Sequence, residues 1–169
     1  MCKALGIVLM FLSSGVFLFK EVEEKKSKLS NLKEFIKALV ILKNELKFSV
    51  PELSHLLKLM SDKTSGKISY IFKEMKNKVT SESDVDLFSS FKSVTDGRDI
   101  FSKEATDVIA DFCSGFGKKT IDIEIENIKR CERDLNAIIK EESDKFIKER
   151  KLIYTLGISI GMVIVILVI

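Results

Sequence analysis

The fold turns on residues 118–169, KKTIDIEIENIKRCERDLNAIIKEESDKFIKERKLIYTLGISIGMVIVILVI. From Lys118 to Lys151 there is no proline or glycine, and the apolar residues recur every three or four positions. That pattern predicts one helix of about 34 residues, roughly 51 Å long. Its seam reads Ile121, Ile125, Ile128, Cys131, Leu135, Ile138 and Phe146, and Glu142 on the same seam marks where a core ends. At Leu152 the charges stop, and the uncharged run to Ile169 spans roughly 27 Å as a helix, against a hydrocarbon core of about 30 Å.

The other end of the chain mirrors this. Ala4 to Phe19 carries no charge, and as a helix it measures roughly 24 Å. Residues 1–19 and 152–169 are therefore expected to be transmembrane helices bracketing a charged domain, residues 20–151. Near the spans lie Lys20, Lys25, Lys26, Lys28, Lys33 and Lys37 on one side and Arg133, Lys140, Lys145, Lys148, Arg150 and Lys151 on the other, whereas only Lys3 lies outside them. Lysine and arginine beside a span resist translocation, so the middle domain is expected to be cytoplasmic in a multi-pass cell-membrane protein. A cleaved signal peptide is the alternative, with Lys3 as its basic start, but no small-x-small site precedes the charged segment.

The middle domain holds 27 of the 28 Lys and Arg and all 25 Asp and Glu, a net of +2. Such a balance gives no basic face for nucleic acid. Cys2, Cys113 and Cys131 form no CxxC, so neither a disulfide framework nor a zinc site is indicated, and plain thiols suit a reducing compartment.

Breakers divide the domain into helices. Leu32, Phe35, Ile36, Leu39, Leu42 and Leu46 form the apolar face of a first helix continuous with the first span. It stops at Phe48-Ser49-Val50-Pro51-Glu52, where Ser49 and Glu52 have capping-box spacing and Pro51 falls in the first turn of the next helix. That helix carries Leu53, Leu56, Leu57 and Met60, and Ser61 to Gly66 reads as a loop. A third helix shows Ile68, Ile71, Phe72, Met75 and Val79; a fourth Val85, Phe88, Phe91 and Val94; a fifth Phe101, Ala105, Val108, Ile109, Phe112 and Phe116, with Gly115 and Gly117 as stop signals. The expected fold is all-α, an up-down bundle of about six helices between two terminal transmembrane helices.

No catalytic constellation emerges. His55 is the single histidine and, set among leucines, reads as a surface or core-edge residue instead of a base with an oriented partner. Ser65-Gly66-Lys67 resembles the tail of a phosphate loop, but Ser61 stands where its first glycine should be and Ile68 where Ser or Thr should bind magnesium. Asp122, Glu124 and Glu126 are spaced by two, which scatters them round a helix as a solvated face. No enzyme activity, cofactor, metal or small-molecule substrate is expected. In the second span Gly157 and Gly161 make a GxxxG groove where another helix can pack.

Helix lengths place the turns at Lys47 to Glu52 and at Ser114 to Lys119 together at the membrane-distal tip. Phe48, Val50 and Phe116 beside Lys47, Lys118 and Lys119 offer apolar content with a basic rim, suited to a partner interface. Phe48 and Phe116 have a plainer reading, preferred for those two, in which they close the core under the turns.

The order of features resembles the stage III sporulation protein AB family of endospore-forming bacteria. The resemblance rests on Leu5-Gly6, on Leu42-x-x-Glu45-Leu46-x-Phe48 followed by Pro51 and Leu53, on Phe112-x-x-x-Phe116-Gly117, and on Leu135, Lys148, Lys151, Leu156-Gly157 and Gly161. The family tends to have Pro-Leu adjacent where this chain has Pro51-Glu52-Leu53, and an Asp and a Gln where it has Thr120 and Glu124. The resemblance implies a bundle similar to the cytoplasmic domain of the type II secretion platform protein. It also implies a place in the mother-cell membrane engulfing the forespore, and as partners a secretion-type ATPase (protein AA of the same operon), other channel-complex proteins and membrane lipids. The competing expectation is a general membrane tether dimerising through its spans.

Overall fold

In a computed structural model of the chain, residues 2–48, 51–81 and 86–168 are described. Among them are six helices and no strand: α1 (Cys2–Phe48), α2 (Leu53–Lys63), α3 (Gly66–Ser81), α4 (Leu87–Thr95), α5 (Lys103–Gly115) and α6 (Ile121–Val168). The all-helical expectation holds. Among the described residues no helix is long and apolar enough to cross a membrane. The side chains of residues 1–21 and most of those beyond Leu152, Gly157 and Gly161 included, lie outside the described residues, so the two expected spans remain a reading of hydropathy.

The chain divides into two compact units, Met1–Lys25 with Lys140–Ile169, and Lys26–Ile139. In the second, α2 packs on α3, α3 on α4 and α4 on α5. Leu32, Phe35, Ala38, Leu39, Leu42 and Leu46 of α1 are buried at the predicted spacing, and so are Ile128, Cys131, Leu135 and Ile138 of α6. Burial of each leucine, isoleucine or phenylalanine among them is worth about 1.5–3 kcal/mol, and the same burial of Leu57, Ile68, Phe91 and Ile109 holds the short helices α2 to α5, which would be marginal alone. Phe35 centres an aromatic cluster, its ring 5.7 Å from Phe72 and 5.8 Å from Phe101. Polar ties add register: Asn31 Nδ2 donates to the Ile100 carbonyl (2.9 Å), Lys28 pairs with Asp99 (2.6 Å), and Lys43 of α1 pairs with Glu132 of α6.

Several boundaries differ from the sequence reading. Glu52 is itself the N-cap of α2, in extended backbone and without a side-chain cap bond, so Glu52 is not the third helical residue of a capping box and Pro51 precedes the helix. Ser49 lies outside the described residues. The loop predicted from Ser61 to Gly66 contracts to Thr64 and Ser65, because its polar side chains find backbone partners. Thr64 Oγ1 donates to the Met60 carbonyl (2.7 Å), and Ser61 and Ser69 each donate a hydroxyl to the other's carbonyl (3.0 and 2.8 Å). Ser65 N–H donates to Glu34 on α1 (3.0 Å), and Gly66 adopts φ +61°, a turn conformation that glycine takes without cost.

In α4 the buried residues are Leu87, Ser90, Phe91 and Val94, with Phe88 only half-buried, and Asp86 caps the helix by accepting from Ser89 N–H (2.8 Å). Val85 lies outside the described residues. Phe101 is buried but precedes α5, which begins at Lys103 after the Ser102 N-cap.

The unit Met1–Lys25 with Lys140–Ile169 contains the start of α1 and the end of α6. Lys25 Nζ lies 2.7 Å from Glu149 Oε2 between them. Both groups are half exposed, which limits such a pair to under about 1 kcal/mol.

Candidate partner-binding surface

The turn from α5 to α6 is built around one carboxylate. After Gly115 the chain passes Phe116 in extended backbone, then Gly117 at φ +83°, and re-enters a helix at Ile121. Glu124, in the first turn of α6, is only 4% exposed, and its Oε1 accepts from the backbone N–H of Gly117 and of Lys119, both at 3.1 Å. It thereby supplies an acceptor to two amides that the turn leaves outside any helix. Glu124 is not part of a solvated face, contrary to the expectation from Asp122, Glu124 and Glu126; Asp122 and Glu126 are exposed. Correspondingly, Ile121 is 39% exposed and does not belong to the buried seam, because α6 first meets the bundle at Glu124 and Ile125.

Phe116 folds back. Its ring lies 5.5 Å from Phe112 and packs against the core half-buried, as the core-closing reading has it. Phe48 does the opposite: it ends α1 with 89% of its surface exposed and closes nothing. α1 reaches its last residues after the core ends at Leu46, so Phe48 has no facing element among the described residues. Lys47, Lys118 and Lys119 are exposed, with Lys118 Nζ donating to the Ser114 carbonyl (2.6 Å), and Val50 lies outside the described residues.

The turn from α5 to α6 and the end of α1 share one end of this unit. Ile100, just before α5, bonds Asn31 of α1, while Phe112 and Cys113 near the end of α5 line the same small apolar void as Leu39 and Leu42. α5 therefore climbs alongside α1, and the turn after it lies toward the end where Lys47 and Phe48 stop.

A groove of about 390 Å³ between α5 and α6 was not legible in the sequence. Asp107 and Asp111 face Arg130 and Asp134 across it, with Cys131 at its floor. Burial raises the Cys131 thiol to about 12 and pushes Cys113 still higher, which favours the thiol over the thiolate in both. Among the described residues no three His, Cys, Asp or Glu side chains are grouped to hold a metal ion. His55 is exposed.

Among the described residues this unit is a helical bundle that leaves Phe48 exposed at the end of α1 and holds the turn before α6 by Glu124. The chain belongs to the stage III sporulation protein AB family, whose model matches residues 3–169. That membership gives it a role in sporulation. No curated protein and no solved structure matches it.

Proposed function

We propose that the chain is a membrane-anchored, non-catalytic adaptor that engages a secretion-type ATPase through the end of its bundle and couples it to membrane components of a channel complex, from the cytoplasmic, mother-cell side of the membrane engulfing the forespore. The observation that carries this reading is Phe48, a large aromatic left 89% exposed beside Lys47 at the end of the unit that also bears Lys118 and Lys119. Exposed aromatics next to cations are typical anchors of protein interfaces, the ring supplying desolvated area and the cations steering an acidic partner. The two uncharged terminal runs supply the anchor, and the basic residues flanking them supply its orientation.

The partner itself follows only from the resemblance to the secretion platform, so the test is direct. The chain in detergent, co-purified with the ATPase of the same operon, should retain it; Phe48→Ala combined with Lys118→Glu and Lys119→Glu should release it. A chain that never binds the ATPase, yet self-associates through Gly157 and Gly161, would be a tether instead.

A further inference from the structure

α6 carries a second surface whose chemistry is distinct from the bundle's end. In the unit formed by Met1–Lys25 and Lys140–Ile169, the exposed residues of α6 from the fourth one before the uncharged run onward include Lys148, Lys151, Leu152, Thr155 and Ser159. Their spacings of three, one, three and four put all of them on one face of the helix. Along that face the character changes once, between Lys151 and Leu152.

Below the change, Leu152 is 62% exposed, and the hydroxyls of Thr155 and Ser159 donate to the carbonyls of Lys151 and Thr155, at 3.0 and 2.9 Å. Their polar hydrogens are thus satisfied within the helix, and that lets the face meet hydrocarbon without a protein neighbour. Above the change, Glu149 is held by Lys25, and Glu141 by Lys145. Lys148 and Lys151 are exposed and make no ion pair among the described residues. Glu141 and Glu149 are therefore engaged with other cations, Asp144 stands exposed one turn before Lys148 without an ion pair among the described residues, and the two ammonium groups lie within a turn of the apolar run that begins at Leu152.

We propose that Lys148 and Lys151 form a collar that binds the anionic headgroups of phospholipids where α6 enters the bilayer. The proposal rests on the reading of residues 152–169 as a membrane span. Each lysine at such a level attracts a negatively charged leaflet, and the long methylene stem lets the ammonium reach the headgroups while Leu152 seats below them.

The test uses the full chain reconstituted in vesicles of mixed phosphatidylcholine and phosphatidylglycerol, then extracted in mild detergent. The ratio of phosphatidylglycerol to phosphatidylcholine retained on it is read by native mass spectrometry. Lys148→Gln with Lys151→Gln should lower that ratio roughly tenfold, whereas Lys58→Gln with Lys73→Gln, on exposed positions of α2 and α3, should leave it unchanged. An equal effect of both pairs, or no preference for phosphatidylglycerol in the parent chain, overturns the collar. Washing the vesicles with alkaline carbonate separates the underlying reading: release of the parent chain removes the span and the collar with it, whereas a retained chain with no lipid preference removes the collar alone.

Discussion

Oε1 of Glu124 lies 3.1 Å from the backbone nitrogen of Lys119, five residues earlier, and the same oxygen accepts from Gly117. One side chain of α6 thus fixes the backbone that presents Lys118 and Lys119. Glu124→Ala would leave both amides without their acceptor, at a cost of about 1.5–3 kcal/mol. Glu124→Gln keeps an acceptor oxygen and should lose roughly half as much. Thermal unfolding followed by circular dichroism distinguishes the two, and equal stability of all three chains would remove Glu124 as the fastener of the turn.

Phe35→Ala should cost about 3–5 kcal/mol, because it deletes the ring between Phe72 and Phe101 at the centre of the core. Phe48→Ala should cost under about 0.5 kcal/mol, since that ring is 89% exposed. Both are aromatic, lie on α1 and are measured in the same denaturation, so the contrast tests burial and not residue type.

Asp86 has its carboxyl held below the usual range, first by the Ser89 backbone N–H at the cap of α4. A lowered folded-state pKa stabilises the fold above the unfolded value of about 3.9 and stops doing so as pH falls through the lower folded value. Asp86→Asn, which still accepts the cap bond, should flatten that part of the acid limb while leaving stability at neutral pH within a few tenths of a kcal/mol. An unchanged acid limb would assign the pH dependence to other carboxylates.

Cys113 and Cys131 are buried, and burial raises both thiols, Cys131 to about 12. In a Cys2→Ser background the folded chain should react slowly with a disulfide reagent at neutral pH, and at the full rate of two thiols in denaturant. Fast labelling of the folded chain would mean that the α5 and α6 packing opens readily.

Most of the core was legible in the sequence because helical period and breakers are local properties. Leu32, Phe35, Leu39, Leu42 and Leu46, and likewise Ile128, Cys131, Leu135 and Ile138, announce one face each by spacing alone, and glycine marks the turns at Gly66 and Gly117, both at positive φ. The two uncharged runs and the basic residues beside them are equally local, and they carry the membrane reading without any fold. Tertiary structure decided what spacing leaves open. Whether Glu124 faces water depends on the backbone amides of another segment, and the period-two run of acids gives no sign of them. Phe48 and Phe116 look alike in sequence as aromatics at turns, yet Phe116 has Phe112 one helical turn behind it while Phe48 lies past Leu46, the last buried residue of α1 among the described residues. Exposure at the end of a bundle is set by where neighbouring helices stop, a relation between segments that no stretch of chain contains by itself.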